Sequence, residues 1–290
     1  MTPARTSSVC IAVLAHQEEA RIATCIASLP LGEPDVAIHI VVNGSTDQTA
    51  AIARKMATQH DNVTVHEFAE GGKSRSWNRF VFETIGEFHA VHVFVDGDAE
   101  VSPESVKALE SALAENSNAN AASALPLNGR KVRHYQDAMR REHGLFGDLY
   151  ALRGDFIARM KWTGIRLPDD LVGDDGLLAA LAKTDLQSEA NWDDARVAIC
   201  EGAGFLCEPV RLSDPRSWRL QYRRMINYSV RHFQNRMITK IMRGDGPAAL
   251  PKQMLDLYAE YLPGLAPRAS VPEIWFDRIA LRRMAERTSG

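Results

Sequence analysis

Through the first 115 residues short apolar runs alternate with segments of helical spacing, and that alternation narrows the choice of folds more than any other feature of the chain. Residues 9–15 (V-C-I-A-V-L-A) are continuously apolar, as suits a strand buried on both faces. Residues 38–42, 63–68 and 91–95 read as three more strands, the last stopping at Asp96. Helical patterns lie between them: 18–29, with Ile22, Ile26 and Leu29 on one face, then 50–57 and 74–86. A further helix is expected over 102–115, with Pro103 in its first turn. This alternation predicts an α/β fold with a mixed, mostly parallel sheet flanked by helices. In such sheets a ligand site lies at the carboxyl ends of the strands. Three of those ends are polar here: A-H-Q-E-E from Ala15, N-G-S-T-D from Asn43 and D-G-D from Asp96.

Beyond residue 116 the pattern loosens. Residues 116–124 read as a turn before another strand, 133–144 as a polar helix, and 150–153 as a strand feeding a helix from Asp155. An acidic loop over 166–175 leads into an apolar helix, and 195–199 with 205–210 suggest a hairpin around Gly202 and Gly204. From Pro215 the character changes. Residues 216–243 carry eight Lys and Arg and no Asp or Glu. Tyr222, Met225, Ser229, Phe233, Met237 and Ile241 recur at helical spacing, so this is an amphipathic basic helix or helix pair. Two more helical segments follow, divided by Pro251, Pro263, Pro267 and Pro272. The expected division is an α/β unit over 1–212 and a C-terminal helical extension over 213–290.

Charge and cysteine usage exclude some functions. Lys and Arg number 34 against 37 Asp and Glu, a net charge of −3, so a whole-protein basic surface for nucleic acid is not supported. The four cysteines (Cys10, Cys25, Cys200 and Cys207) form no C-x-x-C pair and match no zinc spacing, which favours reduced thiols in the cytoplasm. The first eight residues lack the apolar region and cleavage site of a signal peptide. No apolar stretch approaches the roughly 20 residues needed to span a bilayer. The expected location is cytoplasmic, with room for peripheral contact at the inner face of a membrane.

The sharpest motif is Asp96-Gly97-Asp98. Side chains of an extended segment repeat every second residue, so both carboxylates can face one side. Gly97 lets the backbone turn close to a ligand. Two hard oxygen donors at a strand end suit Mg²⁺ or Mn²⁺ shared with a diphosphate. The bland alternative is a solvated turn. A P-loop reading of Gly71-Gly72-Lys73-Ser74 fails, because its first glycine would fall at Glu67, which cannot cradle a phosphate.

Taken in order, the motifs resemble the family 2 glycosyltransferases, inverting nucleotide-sugar transferases of the GT-A type. The first strand ends in Ala15-His16-Gln17-Glu18-Glu19, and Asn43-Gly44-Ser45-Thr46-Asp47-Gln48-Thr49 stands where the family has D-G-S-x-D-x-T. Gly72-Lys73-Ser74-Arg75-Ser76-Trp77-Asn78 resembles G-K-x-x-A-x-N, and Asp96 to Asp98 is the D-x-D. Asp174-Asp175 stands for the acidic pair that opens a later helix, and Gln221-Tyr222-Arg223-Arg224-Met225 for Q-x-x-R-W. The likeness spans roughly residues 9–225. Asn43 replaces an acidic residue and Met225 an aromatic one.

The resemblance implies a GT-A-like, Rossmann-type catalytic unit and a set of roles. Asp98 would hold Mg²⁺ or Mn²⁺, with Asp96 supporting the ribose or the metal. Ala15, His16, Glu18, Asn43 and Ser45 would line the nucleotide pocket, Lys73 or Arg75 would contact the nucleotide or its phosphates, and Arg224 with Gln221 would reach the diphosphate or acceptor. Asp175 would be the general base, and Asp174 would shape the site or be the base in its place. On the residues alone, an Asp beside Gly at a helix start is a cap, and Ser45 or Asp47 would cap the helix after the second strand. Asp169 and Asp170 read as loop charges, and His232 as a structural residue with metal ligation as its alternative.

The implied donor is a nucleotide-diphosphate sugar, UDP-sugar being favoured by family frequency, and the implied acceptor a hydroxyl. A bacterial surface polysaccharide or lipid intermediate is the family-level expectation for that acceptor. The basic segment 216–243 suits three jobs: reaching the diphosphate, lying on an anionic membrane, or simply packing its apolar stripe on the core. Rival readings are a nucleotidyltransferase on a similar scaffold and a non-catalytic sugar-nucleotide or protein-binding module.

Overall fold

The structure, a computed structural model, describes residues 8–207 and 215–288. Its first elements are β1 (Val9–Ala15), α1 (Ile22–Ala27), β2 (Val36–Asn43), α2 (Thr49–Ala57), β3 (Val63–Phe68), α3 (Lys73–Arg79) and β4 (Val91–Asp96). There follow β5 (Glu100–Val101), α4 (Ser105–Glu115), β6 (Ala121–Pro126), α5 (Val132–Glu142), β7 (Leu149–Arg153), α6 (Gly154–Thr163), α7 (Asp174–Lys183) and β8 (Val197–Leu206). The last helices are α8 (Pro215–Arg243), α9 (Leu255–Tyr261) and α10 (Glu273–Thr288).

The eight strands form one sheet in the order β3-β2-β1-β4-β7-β6-β8-β5. β1 pairs in parallel with β2 and β4, and β2 with β3. β7 runs against both β4 and β6, and β5 against β8, while β6 and β8 are parallel. The sheet is therefore mixed and mostly parallel, as expected.

Period-two alternation sorts the strand side chains between two apolar layers. Val9, Ile11, Val13 and Ala15 of β1, with Val91, Val93 and Val95 of β4, enter the layer that also holds Ile22 and Ile26 of α1 and Leu109 of α4. Cys10, Ala12 and Leu14, with Phe94, enter the other, beside Trp77, Phe156, Leu178 and Phe233. Both faces are thus covered, which is why the strands read as unbroken apolar runs. On the second face Trp77 stacks on Phe94 (5.4 Å between centroids) and Phe94 on Tyr150 (5.2 Å), fixing α3 across β4 and β7.

Several expectations change. The hairpin around Gly202 and Gly204 is one continuous strand, β8, because Gly204 and Phe205 resume pairing with β6 after a register shift. Residues 208–210 of that expectation, and the division near 212, lie outside the described residues. Pro103 precedes α4 rather than sitting in its first turn. α3 continues into a π-helical turn, Phe80–Thr84. Of the two alternatives for the basic segment the single helix holds: α8 runs unbroken for 29 residues and packs against α10. No described helix is long and apolar enough to cross a membrane.

Candidate active site

The polar strand ends meet at one edge of the sheet. β4 ends at Asp96, and Gly97 turns the chain back against β1: its N–H donates to the Leu14 carbonyl (2.9 Å). A Cβ at Gly97 would lie 2.8 Å from the Ala15 Cβ, so only glycine permits this approach. Across the turn, ligand oxygens of Asp96, Asp98 and Asp148 all fall within 4.8 Å of one another. The D-x-D carboxylates thus do converge, and a third joins them.

Asp148 had no assigned role in the sequence. β7 is antiparallel to β4, so its first residues lie beside the last residues of β4, and the Asp96 N–H donates to the Asp148 carbonyl (3.1 Å). The rule that sites gather at carboxyl strand ends overlooks a residue entering at the amino end of a reversed strand. The available signal was an acidic residue set directly against an apolar strand, G-D-L-Y-A-L. Cys207, just past β8, donates its thiol to the same carboxylate (3.4 Å).

Lys73, the first residue of α3, reaches into this group. Its Nζ lies 2.6 Å from Asp96 Oδ1 and 3.4 Å from Asp174 Oδ1, and donates to the Gly147 carbonyl (3.2 Å). Burial alone would push this lysine down, but Asp174 and Asp96 hold it well above the ordinary range. Burial raises Asp96 well above the usual carboxylate range; Lys73 offsets part of that, and Asp148, Asp98 and Asp174 add to it. Burial and the nearby Asp98 charge carry Asp148 up to about 6. Glu18 is raised to about 8 by burial, by Asp98 and by Asp47.

Asp174 and Asp175 open α7, but neither is its cap. Gly173 is, with φ +88°. Both carboxylates sit in the first turn, where the helix dipole favours negative charge. Asp174 is buried toward Lys73, and burial, then Asp175, raise it against the pull of Lys73. Its Oδ2 has no hydrogen-bond partner among the described residues. Asp175 turns the other way and pairs with Arg231 of α8 (3.0 Å).

Arg231 was also missed. It follows Arg224 by seven residues, two helical turns, so the two share a face. Arg224 reaches Asp98 (3.9 Å) as Arg231 reaches Asp175. A Cβ at Gly173 would lie 2.5 Å from Arg231 Nε, and one at Gly176 would lie 3.2 Å from its Nη2. Glycines on both sides of the Asp pair therefore make room for this guanidinium. A side chain at Gly147 would meet Lys73 Nζ at 3.1 Å and Asp175 at 3.7 Å, so the pair and the carboxylate group share one space.

The remaining predicted residues divide. Asn43 is buried; its amide donates to the Ala15 carbonyl (3.0 Å) and accepts from Gly72 N–H (3.3 Å), tying β1 to the glycine turn before α3. His16 Nδ1 lies 2.7 Å from the Asn43 carbonyl, and Ser45 accepts from Gln17 N–H (3.0 Å). Neither Ser45 nor Asp47 is the cap of α2, which is Gln48; Asp47, one residue earlier, accepts from the Thr49 N–H (3.0 Å) and hydroxyl (2.6 Å) through its Oδ1. Arg75 does not join the carboxylates. It holds the glycine turn through the Gly71 carbonyl (3.0 Å) and Glu70 (3.2 Å), and lines a separate cavity of about 680 Å³ with Arg79, Arg166 and Lys252. Asp170, read as a loop charge, is instead engaged by the C-terminal helices: it accepts from Met254 N–H (2.5 Å) and lies 3.7 Å from Arg287. Gln221 is half-buried on α8, three residues before Arg224. His232 is outside the carboxylate group and is pushed down by burial and by Arg268.

Three oxygen donors in partial burial are the chemistry that Mg²⁺ or Mn²⁺ accepts, and their mutual repulsion is what such an ion relieves. The donor set therefore fits a hard divalent cation.

Comparisons with known proteins identify the family and the fold. The family described as glycosyl transferase family 2 matches residues 10–172, more than half of the chain. No curated protein matches the sequence. Among solved structures, a mannosyltransferase from Pyrobaculum calidifontis in complex with GDP-Man and Mn²⁺ superposes with a TM-score of 0.59 at 18% identity, covering 99% of this chain and 88% of that one. TarS 1–349 of S. aureus, in complex with UDP-GlcNAc, gives 0.55 at 16% identity over 97% and 81%. Glucosyl-3-phosphoglycerate synthase of Mycobacterium tuberculosis, with Mn²⁺, UDP and glucosyl-3-phosphoglycerate, gives 0.55 at 19% identity over 83% and 81%. At these identities the likeness establishes the shared GT-A fold.

Proposed function

Because the chain belongs to glycosyl transferase family 2 and is a glycosyltransferase, we propose that it moves a sugar, with inversion, from a nucleotide-diphosphate sugar to a hydroxyl acceptor. The observation that carries this reading is the convergence of Asp96, Asp98 and Asp148 beside Lys73 and the Asp174–Asp175 pair.

In this proposal the nucleoside lies over the ends of β1 and β2, against Ala15, His16, Glu18, Asn43 and Ser45. Asp98, Asp96 and Asp148 would hold the divalent ion, which would supply positive charge opposite the diphosphate. Lys73 and Arg224 face the same phosphates as fixed cations, and Gln221 lies near them. Asp175 accepts the proton of the acceptor hydroxyl while that oxygen attacks the anomeric carbon from the side opposite the leaving group. One displacement on that face inverts the configuration. Arg231 fixes the Asp175 carboxylate in place. Asp174 holds Lys73 toward the phosphates rather than acting as base. UDP-sugar remains the favoured donor class; the solved relatives bind GDP-Man, UDP-GlcNAc or UDP, so guanine competes with uracil.

The test is a panel of UDP-, GDP-, CDP- and dTDP-sugars, scored by thermal shift with Mn²⁺, with Mg²⁺ and with EDTA. A ligand at a hundred times its Kd stabilises the fold by about 2.7 kcal/mol. One base is expected to raise the melting temperature only with metal present. Absence of a shift with every nucleotide would overturn the donor site.

A further inference from the structure

We propose that the exposed aromatic and basic surface formed by the first half of α8 and the start of α10 docks on an anionic lipid bilayer. Tyr222 packs its ring on Trp275 (5.6 Å between centroids) and Phe276 (5.9 Å), joining the two helices. The joint is not covered: Tyr222 is 40% and Trp275 52% exposed, and Trp218, one turn before Tyr222, is 63% exposed. Arg219 and Arg223 stand exposed beside these rings, and Arg278 lies one turn beyond Trp275. None of these three arginines makes an ion pair with a described residue, whereas Arg224, Arg231 and Arg243 of α8 are engaged by Asp98, Asp175 and Glu189.

Charge complementarity selects the partner. Segment 216–243 holds eight of the 34 cations and no carboxylate, leaving 26 cations against 37 carboxylates elsewhere, a net −11. An anionic surface therefore repels most of the molecule and attracts this helix, which orients the protein as well as binding it. Trp and Tyr rings with one wet edge, flanked by Arg, are the composition that settles at the level of lipid headgroups. The carboxylates on α10 do not cancel the effect: Asp277 is buried on Arg268, Glu286 pairs with Arg282, and Glu273 accepts from Ser270. Because Arg224 reaches Asp98 from the same stretch of helix, the docked face borders the carboxylate site, and a hydroxyl acceptor carried by the membrane would be delivered at that border.

Co-sedimentation of the full chain with vesicles tests this. Phosphatidylcholine vesicles are compared with vesicles also containing phosphatidylglycerol, at low and high salt. Binding is expected only to the anionic vesicles and is expected to fall with salt. Arg219→Glu with Arg223→Glu should weaken it at least about tenfold, each charge near the surface contributing about that order. Trp218→Ala with Trp275→Ala should weaken it while retaining salt dependence. Every variant is first checked for the parent's melting temperature and its nucleotide-induced shift, so a folding failure or a failure of the donor site is seen separately. No vesicle binding by the parent, equal binding to both vesicle types, or variants that bind like the parent each overturn the proposal. Tryptophan fluorescence quenched by a soluble oligosaccharide, with no vesicle binding, would assign the rings to a saccharide instead.

Discussion

Between α8 and α10, Asp277 is fully buried and Arg268 satisfies it three times: from its backbone N–H (2.8 Å), its Nε (3.0 Å) and its Nη2 (2.7 Å). The same guanidinium reaches Ser229 of α8 (3.3 Å). Burial would raise this carboxyl, but the bonds from Arg268 and Ser229 take it down to about 2. At the strand ends the ingredients are similar and the outcome is opposite. Lys73 is divided between Asp96 and Asp174, Asp148 and Asp98 crowd the same space, and the carboxyls of Asp96, Asp148 and Asp174 are raised. A buried ion pair that meets its hydrogen bonds serves the fold. A buried group with surplus acid is poised to receive a cation it does not itself supply.

The comparison can be broken at either end. The largest effect is expected from Asp175→Asn, which should lower kcat by about 10³-fold, the scale of a lost general base, while the nucleotide-induced thermal shift persists. Full turnover in that variant would remove Asp175 from the chemistry. Asp277→Asn should cost on the order of 2 kcal/mol in urea denaturation, by breaking a satisfied pair, with donor affinity unchanged. Because the Asp277 carboxyl is depressed, its contribution is complete above about pH 4, the unfolded value, and disappears as pH falls toward about 2. A pH-independent loss would contradict the electrostatic account.

Smaller effects sharpen the contrast. Arg231→Gln should reduce kcat about tenfold without raising the donor KM, and Arg231→Lys should recover part of the loss. An equal change in KM would instead make Arg231 a donor contact. Gly173→Ala should act in the same direction, since its Cβ would displace Arg231. Finally, Asp148→Asn should stabilise the metal-free protein at pH 7 by a few degrees, on the order of 1 kcal/mol. Its carboxyl is raised to about 6, so its favourable contribution is complete below about pH 4 and is lost as pH rises through about 6. The same variant should gain less from Mn²⁺ than the parent. A fall in melting temperature without metal would mean that the Asp148 charge supports the fold.

The strands were legible because both faces of the sheet are covered, which leaves a continuous apolar run as its trace. Asp96 and Asp98 were legible because a carboxylate closing such a run is conspicuous. Asp148 and Arg231 were not, for a common reason: their partners are distant in sequence. Asp148 meets Asp96 only because β7 runs against β4, and Arg231 meets Asp175 only because α8 packs across the start of α7. Arg75 shows the converse. It stands two residues from Lys73 in a matching motif, yet helical geometry turns it away from the carboxylates and onto Glu70 and the Gly71 carbonyl.

The sequence by itself determined the alternating layers, the polar strand ends, the D-x-D and the basic, carboxylate-free helix, since each depends on spacing within a few residues. Tertiary structure decided which charges face one another. Lys73 with Asp96 and Asp174, Asp148 with the D-x-D, and Arg231 with Asp175 arise from strand order, strand direction and helix packing, and the interaction of two charges depends on their separation and burial, not on their distance along the chain.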